Sequence, residues 1–167
     1  MKIIIVASTS DFINAFLIDF ILSLSKNHEI LIVTDKNIQK FKSNKKINQK
    51  NIKFDRKINI FNDIKCLFKF YFYIINFSPK AVISFTPKAG LISSITSFLS
   101  FTKIRLHYFT GQIWAKQDKK IDKLLMLLDK LISILSTNIL CDSSGQKNFL
   151  VKKGIVNSGK INVIHKG

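Results

Sequence analysis

Glycine is scarce in this chain: six in 167 residues, and none before Gly90. That absence excludes a glycine-rich phosphate loop at the first strand–helix turn. Ala7-Ser8-Thr9-Ser10-Asp11 carries side chains where a G-x-G-x-x-G turn or a P-loop needs bare backbone. Arginine is nearly missing as well, with only Arg56 and Arg105. Direct base readout favours arginine forks and no recognition motif occurs, so nucleic acid is not an expected partner. The two cysteines, Cys66 and Cys141, lack metal-like spacing and read as reduced core thiols of a cytoplasmic protein. No window of 18 residues is free of charge, and the greasiest stretch, 70–77, is too short to span a bilayer. The start, MKIIIVASTSDF, has no small-residue cleavage site. Paired carboxylates, a nucleophile elbow and a metal-ligand cluster are all missing, so no metal or cofactor is expected and no general base is named.

Lysine and large apolar residues fill the space. Hydrophobic residues make up 47%, too many for a disordered chain, and the length suffices for one domain with a real core. The formal net charge is +17. Ile, Asn, Phe and Lys abound together, as in an AT-rich genome, so part of that charge reflects codon drift. A basic chain is still drawn to anionic surfaces, and the cytoplasmic face of a membrane fits best.

Apolar runs alternate with helical periodicity. Strands are expected at 2–7, 28–34, 81–85, 104–109, 138–141 and 161–164. Helices are expected from an Asp11 cap through 25, then at 61–77, at 87–101 after a Thr86 cap, at 119–135, and to about 153 after a Ser143/Gln146 capping box. Residues 35–57, rich in Lys and Asn, read as a mobile loop with only 52–54 strand-like. This alternation predicts an α/β fold: a doubly wound, Rossmann-like parallel sheet with helices on both faces. Ligands bind such sheets beyond the carboxyl ends of the strands.

Three segments at those ends are candidates for binding. Ser8 and Thr9 offer hydroxyls beside a helix start, suited to a sugar or phosphate, or simply a capped turn. Thr86-Pro87-Lys88-Ala89-Gly90 opens a helix with donor N–H groups. Lys88 adds a charge there that is unfavourable to the helix dipole unless an anion is near, and Gly90 permits close approach. In Thr110-Gly111-Gln112-Ile113-Trp114, Gly111 permits a sharp turn, Gln112 can bond hydroxyls, and Trp114 offers either a flat face for a sugar ring or a core anchor. His107, inside a strand, reads as a buried, hydrogen-bonded histidine.

At these residues the chain resembles a known family. Ser84–Leu91, SFTPKAGL, is similar to the TPKAGLL run of bacterial family-4 glycosyltransferases that build capsule, O-antigen and related surface sugars. His107–Ala115, HYFTGQIWA, is similar to their HTFTGQVWA run. The Ser8–Leu17 turn with Asn14 resembles their first loop. The order of 125–135, 139–143, Gln146, 149–150, 154–155 and 160–161 follows the end of their N-terminal domain. The likeness covers nearly the whole chain and is weakest at 35–60.

The resemblance implies that residues 1–167 form the Rossmann-like, N-terminal, acceptor-side half of a GT-B, retaining glycosyltransferase of hexosyltransferase type. It implies Ser8, Thr9, Asn14, Thr86, Lys88, Gly90, Thr110, Gly111, Gln112 and Trp114 as the lining of an acceptor cleft. The implied acceptor is a lipid-linked sugar, often on undecaprenyl diphosphate. The nucleotide-sugar donor belongs with a C-terminal domain carrying an E-x7-E motif; that half is expected to be absent from this truncated-looking chain, or to come as a separate partner chain. Without it the chain is expected to be inactive. Family members often place His where this chain has Phe85, so no catalytic role is carried to that position. The implied location is peripheral, at the inner face of the cytoplasmic membrane. Helix 61–77, with Lys65 and Lys69 among aromatics, and the lysine-punctuated helix 119–135 suit that surface. The other reading is a non-catalytic basic α/β module that binds anionic membrane or a partner chain.

Overall fold

A computed structural model describes residues 1–55, 58–116 and 120–164. Arg56, named above, and residues 57, 119 and 167, the bounds of the expected loop, helix and domain, lie outside them. Seven strands form one parallel sheet in the order β3-β2-β1-β4-β5-β6-β7. They are β1 (Lys2–Val6), β2 (Glu29–Thr34), β3 (Ile47–Asn51), β4 (Ala81–Phe85), β5 (Ile104–Phe109), β6 (Asn138–Cys141) and β7 (Ile161–Val163). The helices are α1 (Ser10–Phe16), α2 (Ile18–Ser25), α3 (Ile60–Phe77), α4 (Pro87–Leu99), α5 (Lys120–Leu135) and α6 (Ser144–Lys152). This is the doubly wound, Rossmann-like parallel sheet that the alternation required.

The central strands are apolar on both sides, as a sheet covered by crossover helices must be. In β1, Ile3 and Ile5 face one core with Ile30, Ile32, Ile13 and Ile21. Ile4 and Val6 face the other with Leu31, Val33, Phe70, Ile74 and Ile92. The in-register pairs Ser84–His107–Ile139 and Phe109–Cys141 continue the second face toward a third apolar cluster, which includes Ile132 and Leu150. Helices α3, α4, α5 and α6 therefore share one face. Among the described residues, α1 and α2, with Ile38 and Phe41 beside them, cover the other, over β1 and β2.

Three local expectations change. The first helix is two helices: Leu17 leaves helical geometry at φ −120°, while Ile13, Leu17 and Ile21 stay in the core on either side of the break. Its cap is Thr9, whose Oγ1 accepts from Phe12 N–H at 3.4 Å; Asp11 sits within the first turn. Segment 35–55 is not a bare loop. A 3-10 turn at Gln39–Phe41 buries Phe41 fully, and β3 forms an edge strand paired Ile30–Ile47 through Thr34–Asn51. Its alternating polar residues hid it, because pairing with β2 rather than its own apolar content holds it in the sheet. Residues 52–54, read as strand-like, instead place Ile52 and Phe54 in the core beyond β3.

Helix α4 is buried along Ser93, Ser94, Thr96 and Ser97. Small hydroxyl residues let α3 and α5 approach it closely. The hydroxyls of Ser93, Thr96 and Ser97 are satisfied within the helix, Ser93 donating to Gly90 O at 3.2 Å and Thr96 to Ile92 O at 2.8 Å, while that of Ser94 lies 3.5 Å from the Ser136 hydroxyl.

Candidate functional site

The order of strand addition reverses between β1 and β4: β2 and β3 are added on one side of β1, and β4 and the later strands on the other. The crevice beyond the strand ends at that switch is where open α/β sheets take ligands. Ser8 follows β1 and Thr86 follows β4, and they meet there. Ser8 N–H donates to Thr86 Oγ1 at 3.1 Å, and the two hydroxyl oxygens lie 2.8 Å apart. Ala89 N–H, in the first turn of α4, donates to Ser8 Oγ at 3.3 Å. Thr86 makes no side-chain cap, contrary to expectation; its hydroxyl is turned to Ser8. Its backbone holds φ +66°, a region a β-branched residue rarely occupies, so the turn stores strain.

Lys88 is not directed at this crevice. Its Nζ donates to both carboxylate oxygens of Asp63 on α3, at 2.7 and 2.8 Å. The anion that its place at a helix start demands is thus a side chain of the chain itself. Gly90 is explained by packing: a Cβ there would lie 2.3 Å from His107 Cε1. His107 is buried, 2.9 Å from Ser84 Oγ, and burial lowers its pKa to about 3, so its ring is neutral near neutral pH. Thr9 caps α1, and Asn14 is exposed on that helix. Asp35, at the end of β2, accepts from Ser10 N–H at 2.6 Å and from the Thr34 hydroxyl. Burial alone would raise its pKa; the bonds from Ser10, Thr34 and Lys36 outweigh that and lower it.

A second group forms beyond β5 and β6. Thr110 and Gly111 are exposed, and Gly111 holds φ +141°, which a side chain disfavours. Gln146 organises the rest. Its Oε1 accepts from Asp142 N–H at 2.9 Å, and its Nε2 donates to Phe109 O at 3.2 Å and Gln112 Oε1 at 3.4 Å. Ser143 caps α6 by accepting from Gln146 N–H, but the return bond of the expected capping box goes to Asp142 rather than Ser143. The Gln112 amide nitrogen is buried without a hydrogen-bond partner. Trp114 takes its core-anchor role. It is 5% exposed, stacks on Phe149 with centroids 5.4 Å apart, and donates Nε1–H to Asp129 at 2.8 Å. Its face is not open to a sugar.

The two groups share an edge of the sheet, on neighbouring strands, but not these cavities. Thr110, Gly111 and Gln112 line a shallow hollow with Asp142, Ser143 and Gln146. A larger apolar groove of about 650 Å³ lies on the sheet face left uncovered beside α1 and α2. Phe12, Phe16 and Phe20 form one wall, Ile83, Phe85, Leu106 and Leu140 the floor, and Tyr108, Thr110 and Asp142 the polar end. Ser8, Thr86 and Lys88 line neither cavity.

Sequence reasoning missed this groove. The signal was present: Leu106 and Tyr108 alternate against His107 and Phe109, giving a second apolar face with no helix assigned to it. At the polar end Tyr108 hydroxyl donates to Asp142 Oδ1. Burial, then that bond and the carboxylate charge, push the phenol up to about 12. Phe85 at the groove floor supplies no proton-transfer group.

Fold and strand-end geometry define a doubly wound, Rossmann-like α/β domain. No family model matches the chain. It is 29% identical over 113 residues to the capsular polysaccharide biosynthesis glycosyltransferase CapM of Staphylococcus aureus, covering 68% of this chain and 30% of that protein. Among solved structures, the lipopolysaccharide outer core galactosyltransferase WaaB superposes with a TM-score of 0.68 at 16% identity, over 99% of this chain and 45% of that one. The UDP-GlcNAc 2-epimerase of Methanocaldococcus jannaschii gives 0.68 at 18% identity, over 98% and 45%. A fragment of sucrose-phosphate synthase from Thermosynechococcus elongatus gives 0.74 at 11% identity, over 100% and 90%. The structural likenesses show the fold. With the sequence match they make the chain similar to the N-terminal half-domain of GT-B glycosyltransferases. The matched region spans less than a third of CapM.

Proposed function

We propose that this domain is the acceptor-side half of a glycosyltransferase that moves a sugar from a nucleotide-sugar to a surface-polysaccharide acceptor carried on a lipid. The carrying observation is the junction of Ser8 and Thr86 at the switch point between β1 and β4, with the exposed Thr110 and Gly111 one strand further on. Hydroxyl-rich turns at strand ends suit sugar hydroxyls and diphosphate oxygens. The similarity to CapM supports capsule-type sugars. Donor binding is assigned elsewhere: Glu29 is the sole glutamate, so an E-x7-E pair is not within these residues. A C-terminal unit, in the same polypeptide or as a partner chain, would supply it, and without that unit the domain turns over no sugar. The net charge of +17 supports a position at the cytoplasmic face of an anionic membrane.

Calorimetric titration with a sugar diphosphate on a short, water-soluble prenyl chain tests the reading without a bilayer. Saturable binding is expected. Thr86→Val, which keeps the β-branch and removes the hydroxyl, should weaken it about tenfold, the worth of one polar contact to a charged group. A folded protein that binds nothing, or a variant that binds equally well, overturns the proposal.

A further inference from the structure

Helix α3 is apolar on two sides. Its inner side places Cys66, Phe70 and Ile74 in the core, flanked by Leu67, Tyr73 and Phe77. Its outer side carries Phe61, Ile64, Phe68, Phe72 and Ile75, spaced three, four, four and three residues apart. That spacing returns each to one stripe along the helix. Phe61 is 83% exposed, Phe68 63% and Phe72 60%. A globular helix normally turns one apolar stripe inward and a polar face outward. Five large apolar residues in an unbroken exposed row mark an interaction surface rather than scattered surface greasiness.

Charge selects the occupant. Lys65 and Lys69 are exposed and project along one margin of the stripe, within a chain of net charge +17. An acid-free stripe of phenylalanines and isoleucines bordered by lysines matches a helix lying in the headgroup region of an anionic bilayer. Among the described residues no helix is long and apolar enough to cross a membrane.

We propose that the outer face of α3 is the membrane-docking face, with Phe61, Phe68 and Phe72 entering the acyl boundary and Lys65 and Lys69 meeting anionic headgroups. This deepens the membrane placement proposed above and rests on that placement. It also fixes an orientation. The Asp63–Lys88 ion pair ties the first turn of α3 to the first turn of α4. The Thr86 turn that begins α4 is therefore held next to the docked end of α3. A lipid-linked substrate in the same bilayer would reach the switch-point crevice without leaving the surface.

Vesicle flotation of the whole chain tests the face, with phosphatidylcholine alone and with phosphatidylcholine mixed with phosphatidylglycerol. Binding is expected only to the mixed vesicles and should fall with added salt. Phe68→Ser with Phe72→Ser alters exposed positions and leaves the inner stripe intact. It should lower binding about tenfold or more, as should Lys65→Glu with Lys69→Glu. Lys42→Glu with Lys45→Glu makes the same charge change off the helix and should cost much less. A Phe68→Trp reporter should be quenched by brominated lipid at the depth of the acyl boundary.

No binding by the wild type, or undiminished binding by the Phe68/Phe72 variant, overturns the proposal. So does equal loss from both lysine pairs, which would indicate unspecific charge. A stoichiometric dimer in sedimentation that the Phe68/Phe72 variant abolishes would make a second copy the occupant and also overturn it. The assay contains no sugar and the acceptor titration contains no bilayer, so either can fail without the other.

Discussion

Replacing Asp129 by asparagine isolates the charge buried beneath the 110–114 loop. Asp129 on α5 is 6% exposed and accepts the Trp114 indole N–H at 2.8 Å. Burial raises its pKa to about 6, against a smaller opposing contribution from the indole bond. The ordinary value is 3.8. A carboxyl whose folded pKa is raised is protonated in the folded state first. Its ionisation then costs stability as pH rises from the unfolded value through the folded one. A shift of about two units corresponds to roughly 3 kcal/mol at neutral pH. Asparagine keeps a carbonyl for Trp114 and cannot ionise, but its amide needs a partner, which costs about 1–3 kcal/mol if none is found. The absolute change at one pH therefore mixes two effects, whereas its pH dependence contains only the first.

Urea unfolding of wild type and Asp129→Asn, followed by circular dichroism from about pH 4 to about pH 7, measures it. The variant should gain roughly 2–3 kcal/mol relative to wild type across that window. His107 works in the opposite direction. Its folded pKa is depressed to about 3, so its contribution fades as pH falls below the ordinary 6.5. Wild type should be nearly flat across this range, because the two effects oppose. Asp129→Asn should lose stability on acidification, because only the histidine remains. A stability difference between the proteins that does not move with pH would refute the reasoning.

Other substitutions test single contacts. Gly90→Ala drives a methyl into the His107 ring and should cost about 1–3 kcal/mol in the same unfolding assay. Trp114→Phe leaves the Asp129 carboxylate without its indole donor. It should destabilise by about 1–3 kcal/mol at neutral pH and by less near pH 4. A double-mutant cycle on Lys88 and Asp63 should give a coupling of about 1 kcal/mol or less, since the pair is partly exposed. Cys66 and Cys141 are buried, and burial raises both thiols. A thiol reagent should leave them unmodified in the native protein and label both in urea.

The chain's local patterns determine its layers. Runs such as Ile3-Ile4-Ile5-Val6 and Ile30-Leu31-Ile32-Val33 can only be strands covered on both sides, and the helical periods between them force parallel crossovers. The turns at Ser8, Thr86 and Thr110 were legible as strand ends for the same reason. The edge strand β3 was not, because Asn48, Gln49 and Lys50 carry no apolar signal and owe their conformation to β2. The helix break at Leu17 was equally hidden, since Ile13, Leu17 and Ile21 keep helical spacing across it.

Thr9 caps its own helix, but what most of the other candidate side chains meet was decided by tertiary structure. Lys88 finds Asp63, Trp114 finds Asp129 and Phe149, Gly90 makes room for His107, and Ser8 finds Thr86. Each pair joins residues distant along the chain, so no local period records it. The uncovered sheet face and the outward stripe of α3 emerge the same way. A sequence can state that a residue is apolar, but only the assembled sheet and helices settle which apolar surfaces remain without a partner.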